Sequence, residues 1–187
     1  MEFNPAKVQG YRLIGYENRM LAKEDFNDDK KDAGEMGSNH TVTALYEIIP
    51  VGVKTKLLKK VDTLKYGNNM PAFSKSSYTD ELMTVKLRYK KPDGDVSKLL
   101  EYPVRDNQLL IADASDNFRF AAAVAEFGML LRNSEFKFKS SYGDVLALAR
   151  KAKGNDEEGY RSEFIQLVKS AQTLADTKED EGGGEGE

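Results

Sequence analysis

The chain has 187 residues, 40% of them hydrophobic and 32% charged, a balance that suits a globular domain with a substantial core. It contains no cysteine, which excludes disulfides, thiolate metal sites and cysteine nucleophiles. The formal charge of −3 is unevenly spread: from Asp176 onward six acids and one lysine sum to −5, so residues 1–175 sum to about +2 (−3 minus −5), a near-neutral body that argues against a nucleic-acid partner.

The first residues, Met1-Glu-Phe-Asn-Pro, have neither the basic start nor the apolar run of a secretory leader. No stretch is long enough for a transmembrane helix. Residues 8–18 read as a strand with Tyr11, Leu13 and Gly15 on one face and Arg12, Ile14 and Tyr16 on the other. Opening almost at once in a two-sided apolar strand raises the expectation of a neighbouring domain upstream.

Residues 21–39 form a polar connection with Glu24, Asp25, Asp28, Asp29, Asp32 and Glu35, punctuated by Gly34 and Gly37. A calcium loop needs oxygen ligands at set positions and a glycine at its sharp turn. Asp28, Lys30 and Asp32 do not reproduce that alternation, and Lys30 and Lys31 sit inside the cluster. The main expectation is a solvated loop. A divalent cation held by Asp25, Asp28, Asp29, Asp32, Glu35 and His40 is the alternative. Loops of this length in compact domains are often functional.

Residues 41–49, TVTALYEII, are β-branched and aromatic and read as the clearest strand, ended by Pro50-Val-Gly52. His40, the single histidine, stands just before it and has no evident partner in the sequence, so loop-backbone bonding is expected of it rather than catalysis. Asn39-His40-Thr41 also matches a glycosylation sequon, which has meaning only in a eukaryotic secretory pathway. Residues 54–78 carry six lysines but no arginine, and read as a basic edge or loop.

Residues 82–89 alternate: Met83, Val85, Leu87 and Tyr89 are expected to face in, and Thr84, Lys86 and Arg88 out. Lys91-Pro92-Asp93-Gly94 has turn chemistry, with proline presetting φ and glycine expected at positive φ. Residues 97–104 then return as the partner strand, with Leu100, Tyr102 and Val104 on one face.

The centre of the chain is SDNFRFAAAVAEFGMLLR, residues 115–132. Ser115 is placed to cap a helix, and Asp116 puts negative charge at the positive end of its dipole. At 100° per residue Phe120, Val124, Phe127 and Leu131 form one ridge, and Phe118 and Met129 a second. Ala121, Ala125 and Gly128 lie in a groove between them. Arg119 and Glu126, with Ala122 and Ala123, mark a narrow polar edge. Such a helix is expected to be buried on several sides, with its groove admitting a close neighbour. Two helices follow. Ser141 and Asp144 suggest a capping box for residues 145–153, stopped by Gly154. Asp156 then caps a helix whose buried stripe is Tyr160, Phe164, Leu167, Val168, Ala171 and Leu174.

Strands first and helices last argue for an α+β fold. It is a mainly antiparallel sheet or sandwich in residues 1–112 and a three-helix cluster in 113–175, with the first helix also facing the sheet. Residues 1–175 are read as one domain, and 176–187 as a disordered acidic, glycine-rich tail.

Catalytic chemistry is missing from this pattern. There is no glycine-rich phosphate loop, nucleophile elbow, metalloprotease helix or zinc spacing. Ser115 has no base beside it, and the cap accounts for it. A non-enzyme without a cofactor is expected.

Four segments, RLIGYENR (12–19), EDFNDD (24–29), TVTALYEI (41–48) and DNFRFAAAVAEFGMLLR (116–132), resemble the C-terminal domain of bacterial von Willebrand factor type A domain-containing proteins. The family's metal-ion-dependent adhesion motif, Asp-x-Ser-x-Ser, belongs to the preceding von Willebrand domain and is absent here, so no metal-binding residue is implied. The resemblance implies a segment downstream of an adhesion module, in a family often found in the cell envelope, with an undefined function of its own. The expected role is a non-catalytic accessory domain that docks on the adjacent von Willebrand module and presents residues 21–39 to a protein partner. The alternative is a cation- or small-molecule-binding domain using the acidic loop.

Overall fold

The computed structural model describes residues 1–15, 24–31, 34–35, 37–55 and 80–182. The fold is α+β: antiparallel sheets come first and three helices last. The chain divides into two compact units, Met1–Gln108 and Leu109–Glu187. Residues 56–78 of the basic stretch, residues 16–18 of the first expected strand, and Asp32 lie outside the described residues.

Among the described residues the first unit holds five strands, β1 (Glu2–Phe3), β2 (Val8–Ile14), β3 (Leu45–Pro50), β4 (Glu81–Tyr89) and β5 (Lys98–Arg105). β1, β4 and β5 form one antiparallel sheet in that order, and β2 pairs antiparallel with β3. The sequence places the β4–β5 hairpin within a residue or two, because its determinants are local. The Gly94 amide donates to the Lys91 carbonyl at 2.9 Å and closes the turn. Gly94 itself does not adopt positive φ, contrary to expectation. It stands at the last position of the turn, where a positive φ is not required.

Asn4 binds the start of the chain to this hairpin. Its Nδ2 donates to the Glu81 carbonyl at 2.7 Å, and its amide to the Leu82 carbonyl at 3.0 Å. Phe3 stacks on Tyr11 with ring centroids 4.1 Å apart and stands 5.9 Å from Tyr46, so aromatic packing joins the two sheets. Arg12 and Glu47, opposite one another on β2 and β3, form an ion pair at 2.5 Å. β3 begins at Leu45 rather than Thr41. Residues 41–44 are exposed and lie outside the strand, so their β-branched side chains have no apolar face to join. β2 ends at Ile14, before Gly15 at φ 73°.

The second unit is built from α1 (Asp116–Leu131), α2 (Tyr142–Lys151) and α3 (Tyr160–Gly182). Each N-terminus is capped as its sequence suggests. Ser115 Oγ accepts from the Phe118 amide, Ser141 and Asp144 form a reciprocal capping box, and the Asp156 carboxylate accepts from the Arg161 and Ser162 amides at 3.0 and 2.7 Å. The core is Ala123, Phe127, Val145, Leu146, Ala149, Ile165 and Val168, with Phe120, Leu130, Tyr142 and Phe164 packed against it. Phe164 meets Phe127 and Phe120 edge-on, at centroid distances of 5.5 and 5.2 Å. Arg161 ties the three helices together. It donates to the carbonyl of Ala152 past the end of α2 and to Asn117 on α1, and its guanidinium lies 4.9 Å from the Phe120 ring.

The central helix departs from its expected burial. α1 is covered on one face only: Phe127 is 5% exposed, whereas Val124 is 44% exposed and Phe118 and Leu131 are also open. Ala123, assigned to the polar edge, is fully buried. Its methyl lies on the same side as Phe120 and Phe127, where α2 approaches, and a small residue is what that approach needs. The groove does not admit a close neighbour at Gly128, where an added Cβ would meet nothing within 4 Å. α3 departs as well. Its buried stripe is Ile165 and Val168 with Phe164 and Ala171 alongside, while Tyr160, Leu167 and Leu174 are exposed. The helix also continues to Gly182, into the acidic stretch that composition assigns to a tail. Thr173 and Thr177 bond back to the carbonyls of Lys169 and Thr173 on the way.

Candidate functional site

Two features of the first unit bring side chains together away from its core. The first is the acidic loop, which is attached to the β4–β5 hairpin. Residues Glu24–Asn27 make a short 3-10 turn that puts the Phe26 ring 5.8 Å from the Arg88 guanidinium. Asp29 follows, and its Oδ2 accepts from the Ser97 amide at 3.3 Å while its carbonyl accepts from Lys90 Nζ. Arg88 completes the cluster by donating to Ser97 Oγ at 2.7 Å. Hydrogen bonding by the Ser97 hydroxyl, then by its amide, holds the Asp29 carboxyl below the ordinary carboxylate range, with Lys90 and Arg88 adding positive potential. Arg88 Nε is buried and has no hydrogen-bond partner, so the cluster is incompletely satisfied.

Asp28 Oδ1 accepts from the Lys30 amide at 2.9 Å, a local turn within the loop. Asp25 belongs to the 3-10 turn, and Glu35 is exposed. His40 is exposed, and its amide donates to the Gly37 carbonyl across a turn in which Asn39 takes φ 58°. Among the described residues, no group of three or more His, Asp or Glu converges as a metal site. The loop therefore uses Asp28 and Asp29 to fix its own shape and its position on the hairpin. Sequence reasoning missed this, because Asp29 and Ser97 are 68 positions apart and nothing local to either names the other.

The second feature is the open apolar face of the hairpin. The register sets Leu87 opposite Leu100 and Val85 opposite Tyr102, all on one side of the sheet. The alternation predicts Val85 and Leu87 as inward-facing and sets Leu100 and Tyr102 on one face of the partner strand. Leu100 is instead 53% exposed and Tyr102 71%, and Leu87 and Tyr89 are exposed with them. Beside Met83, Phe3 of β1 extends the same face at the sheet edge, but β1 is only two residues long and reaches no further than Thr84. The result is a contiguous patch of large apolar side chains on a rigid hairpin.

The opposite side of the sheet carries a shallow cleft of about 440 Å³ between β1, β4 and β5. Lys86 lies across it, paired with Glu2 at 2.5 Å and Glu101 at 3.6 Å. Hydrogen bonding to Glu2 raises the Lys86 ammonium pKa above its usual value. Lys86, Glu2 and Glu101 are thus directed at one another. No helix among the described residues is long and apolar enough to cross a membrane.

The chain was compared with known proteins. The family described as "Uncharacterized protein YfbK, C-terminal" matches residues 1–174. The uncharacterized protein YfbK of Escherichia coli (strain K12) is 41% identical over 176 residues, which cover 94% of this chain and 29% of that protein. The chain therefore spans less than a third of the length of the curated relative it matches. No solved structure matches it.

Proposed function

Since the chain belongs to the family of YfbK C-terminal domains, we propose that it is a non-catalytic interaction domain whose open hairpin face docks on a protein partner. The partner in this reading is the von Willebrand factor type A module of the same longer bacterial polypeptide. One observation carries the proposal: Leu87, Tyr89, Leu100 and Tyr102 form a contiguous exposed apolar face on a regular antiparallel hairpin. Large exposed apolar patches on folded domains mark interaction surfaces, and aromatic residues dominate the binding energy of such surfaces. The acidic loop supports the face from one end by holding Arg88 and the start of β5 in place through Asp29 and Ser97.

The test supplies the remainder of the full-length protein in trans and measures association with this chain. Binding is expected, and Leu100→Asp or Tyr102→Asp should weaken it at least about tenfold, since both side chains would lie in the contact. Both are exposed, so circular dichroism and the melting midpoint should stay as in the unsubstituted chain. Failure of the two to associate, or association indifferent to both substitutions, would remove the proposal.

A further inference from the structure

The strands of the first sheet are unequal, and the inequality leaves an edge. β4 has nine residues and is paired on its β5 side from Glu81, opposite Arg105, to Tyr89, opposite Lys98. On its other side β1 reaches only Met83 and Thr84. The Asn4 amide donates to the Leu82 carbonyl, so the even-numbered residues of β4 turn their N–H and C=O toward β1. Pro103, which has no N–H, stands opposite Thr84 on β5 and agrees with this parity. Lys86 and Arg88 therefore present their backbone groups to the same edge beyond the end of β1. No strand among the described residues lies on that side of them. A row of unpaired backbone groups on a regular strand is a template for another strand.

We propose that this edge is filled by the polypeptide leading into β1: in the longer protein, the residues just before Met1 continue β1 along β4 as far as Tyr89. Register and covalent continuity select this occupant. β1 runs antiparallel to β4 with Phe3 opposite Met83 and Glu2 opposite Thr84, so each step back from Glu2 moves one residue toward Tyr89. The first and third residues before Met1 then fall opposite Lys86 and Arg88 and exchange backbone hydrogen bonds with them. The second and fourth fall opposite Leu87 and Tyr89, on the side of the sheet that carries Phe3 and Met83. The Glu2–Lys86 ion pair already holds β1 along this line. The matching family describes a C-terminal region, and the similarity to YfbK covers 29% of that protein, so a preceding segment is available in such a polypeptide. A strand of a second copy would have to find the edge by diffusion, whereas the preceding segment is tethered to it by β1 at high effective concentration.

Disulfide cross-linking in the full-length protein tests this. Leu87→Cys and a cysteine at the second residue before Met1 would form a non-hydrogen-bonded pair with Cα atoms about 4.5 Å apart, within reach of a disulfide. They should cross-link on oxidation. Leu87→Cys with a cysteine at the first residue before Met1, which points to the other side of the sheet, should not. Leu87 is exposed, so its replacement leaves the fold intact. In amide exchange, Lys86 and Arg88 should exchange at least about tenfold more slowly in the full-length protein than in this chain alone. Unchanged exchange at both overturns the proposal, as does a proline at the first or third residue before Met1, where an amide is needed. Protection without the cross-link overturns it too and makes a strand of a second copy or of another protein the occupant. The inference shares with the docking of the hairpin face only the premise of a longer polypeptide, and the two fail separately. Leu100 and Tyr102 lie on β5, so association indifferent to their substitution leaves the cross-link as expected, and a missing cross-link leaves the open face unaltered.

Discussion

Asp29 shows how one side chain can be misread from its neighbours. In the sequence it is one acid among six in residues 21–39, and the chemistry that comes to mind is cation binding. In the structure its carboxylate accepts from Ser97 and sits near Lys90 and Arg88, so it acts as a fastener between loop and hairpin. The direction of its pKa displacement sets the pH behaviour. A carboxyl lowered in the folded state stabilises fully above its ordinary value of 3.8 and loses that contribution as pH falls through the lower folded value. Asp144 and Asp156, lowered by hydrogen bonds from Ser141 and Ser162, act in the same sense. Asp29→Asn should therefore lower the melting midpoint at pH 7, and the gap from the unsubstituted chain should close on acidification below the carboxylate range. Thermal melts of both proteins across that range check this. A gap independent of pH would show that the charge is not what fastens the loop.

At the scale of elements, what the sequence makes legible is what is local. The hairpin turn at Lys91–Gly94, the caps at Ser115 and Asp156, and the Ser141–Asp144 box each depend on residues a few positions apart, and all appear where they were read, although Gly94 does not take the positive φ expected of it. The faces of α1 were not legible in the same way. Phe118, Val124 and Leu131 are as apolar as Phe120 and Phe127, and hydropathy does not say which of two greasy sides a neighbour will cover. An alanine such as Ala123 suits a buried contact and a solvent edge equally well, so pattern alone misplaced it. Two substitutions on α1 separate the faces. Phe127→Ala, at the crossing of all three helices, should cost about 3–5 kcal/mol in denaturant unfolding of the helical unit. Gly128→Ala, one position along, should stabilise by roughly 0.5–1 kcal/mol, because the helical backbone accepts alanine and its Cβ meets open space. Destabilisation by Gly128→Ala would mean that the groove is occupied after all.

For the whole molecule, the α+β order was readable because strands and helices are segregated along the chain. The candidate surface was not, because the alternation that names an apolar face is the same whether that face is covered or open. β1 does not change this, because it pairs edge to edge with β4 and widens the sheet near Met83 without lying over its face. The same reasoning bears on the cation alternative. With Asp28 turned into its own loop and Asp29 onto Ser97, millimolar Ca²⁺, Mg²⁺ or Mn²⁺ should leave the melting midpoint unchanged, whereas a ligand bound to the folded state alone would raise it. The interaction reading is tested most directly by amide hydrogen exchange of this chain, alone and with the von Willebrand module proposed as its partner. Added protection should concentrate in Glu81–Tyr89 and Lys98–Arg105. Protection confined to other segments, with both strands exchanging as they do in the isolated chain, would contradict it.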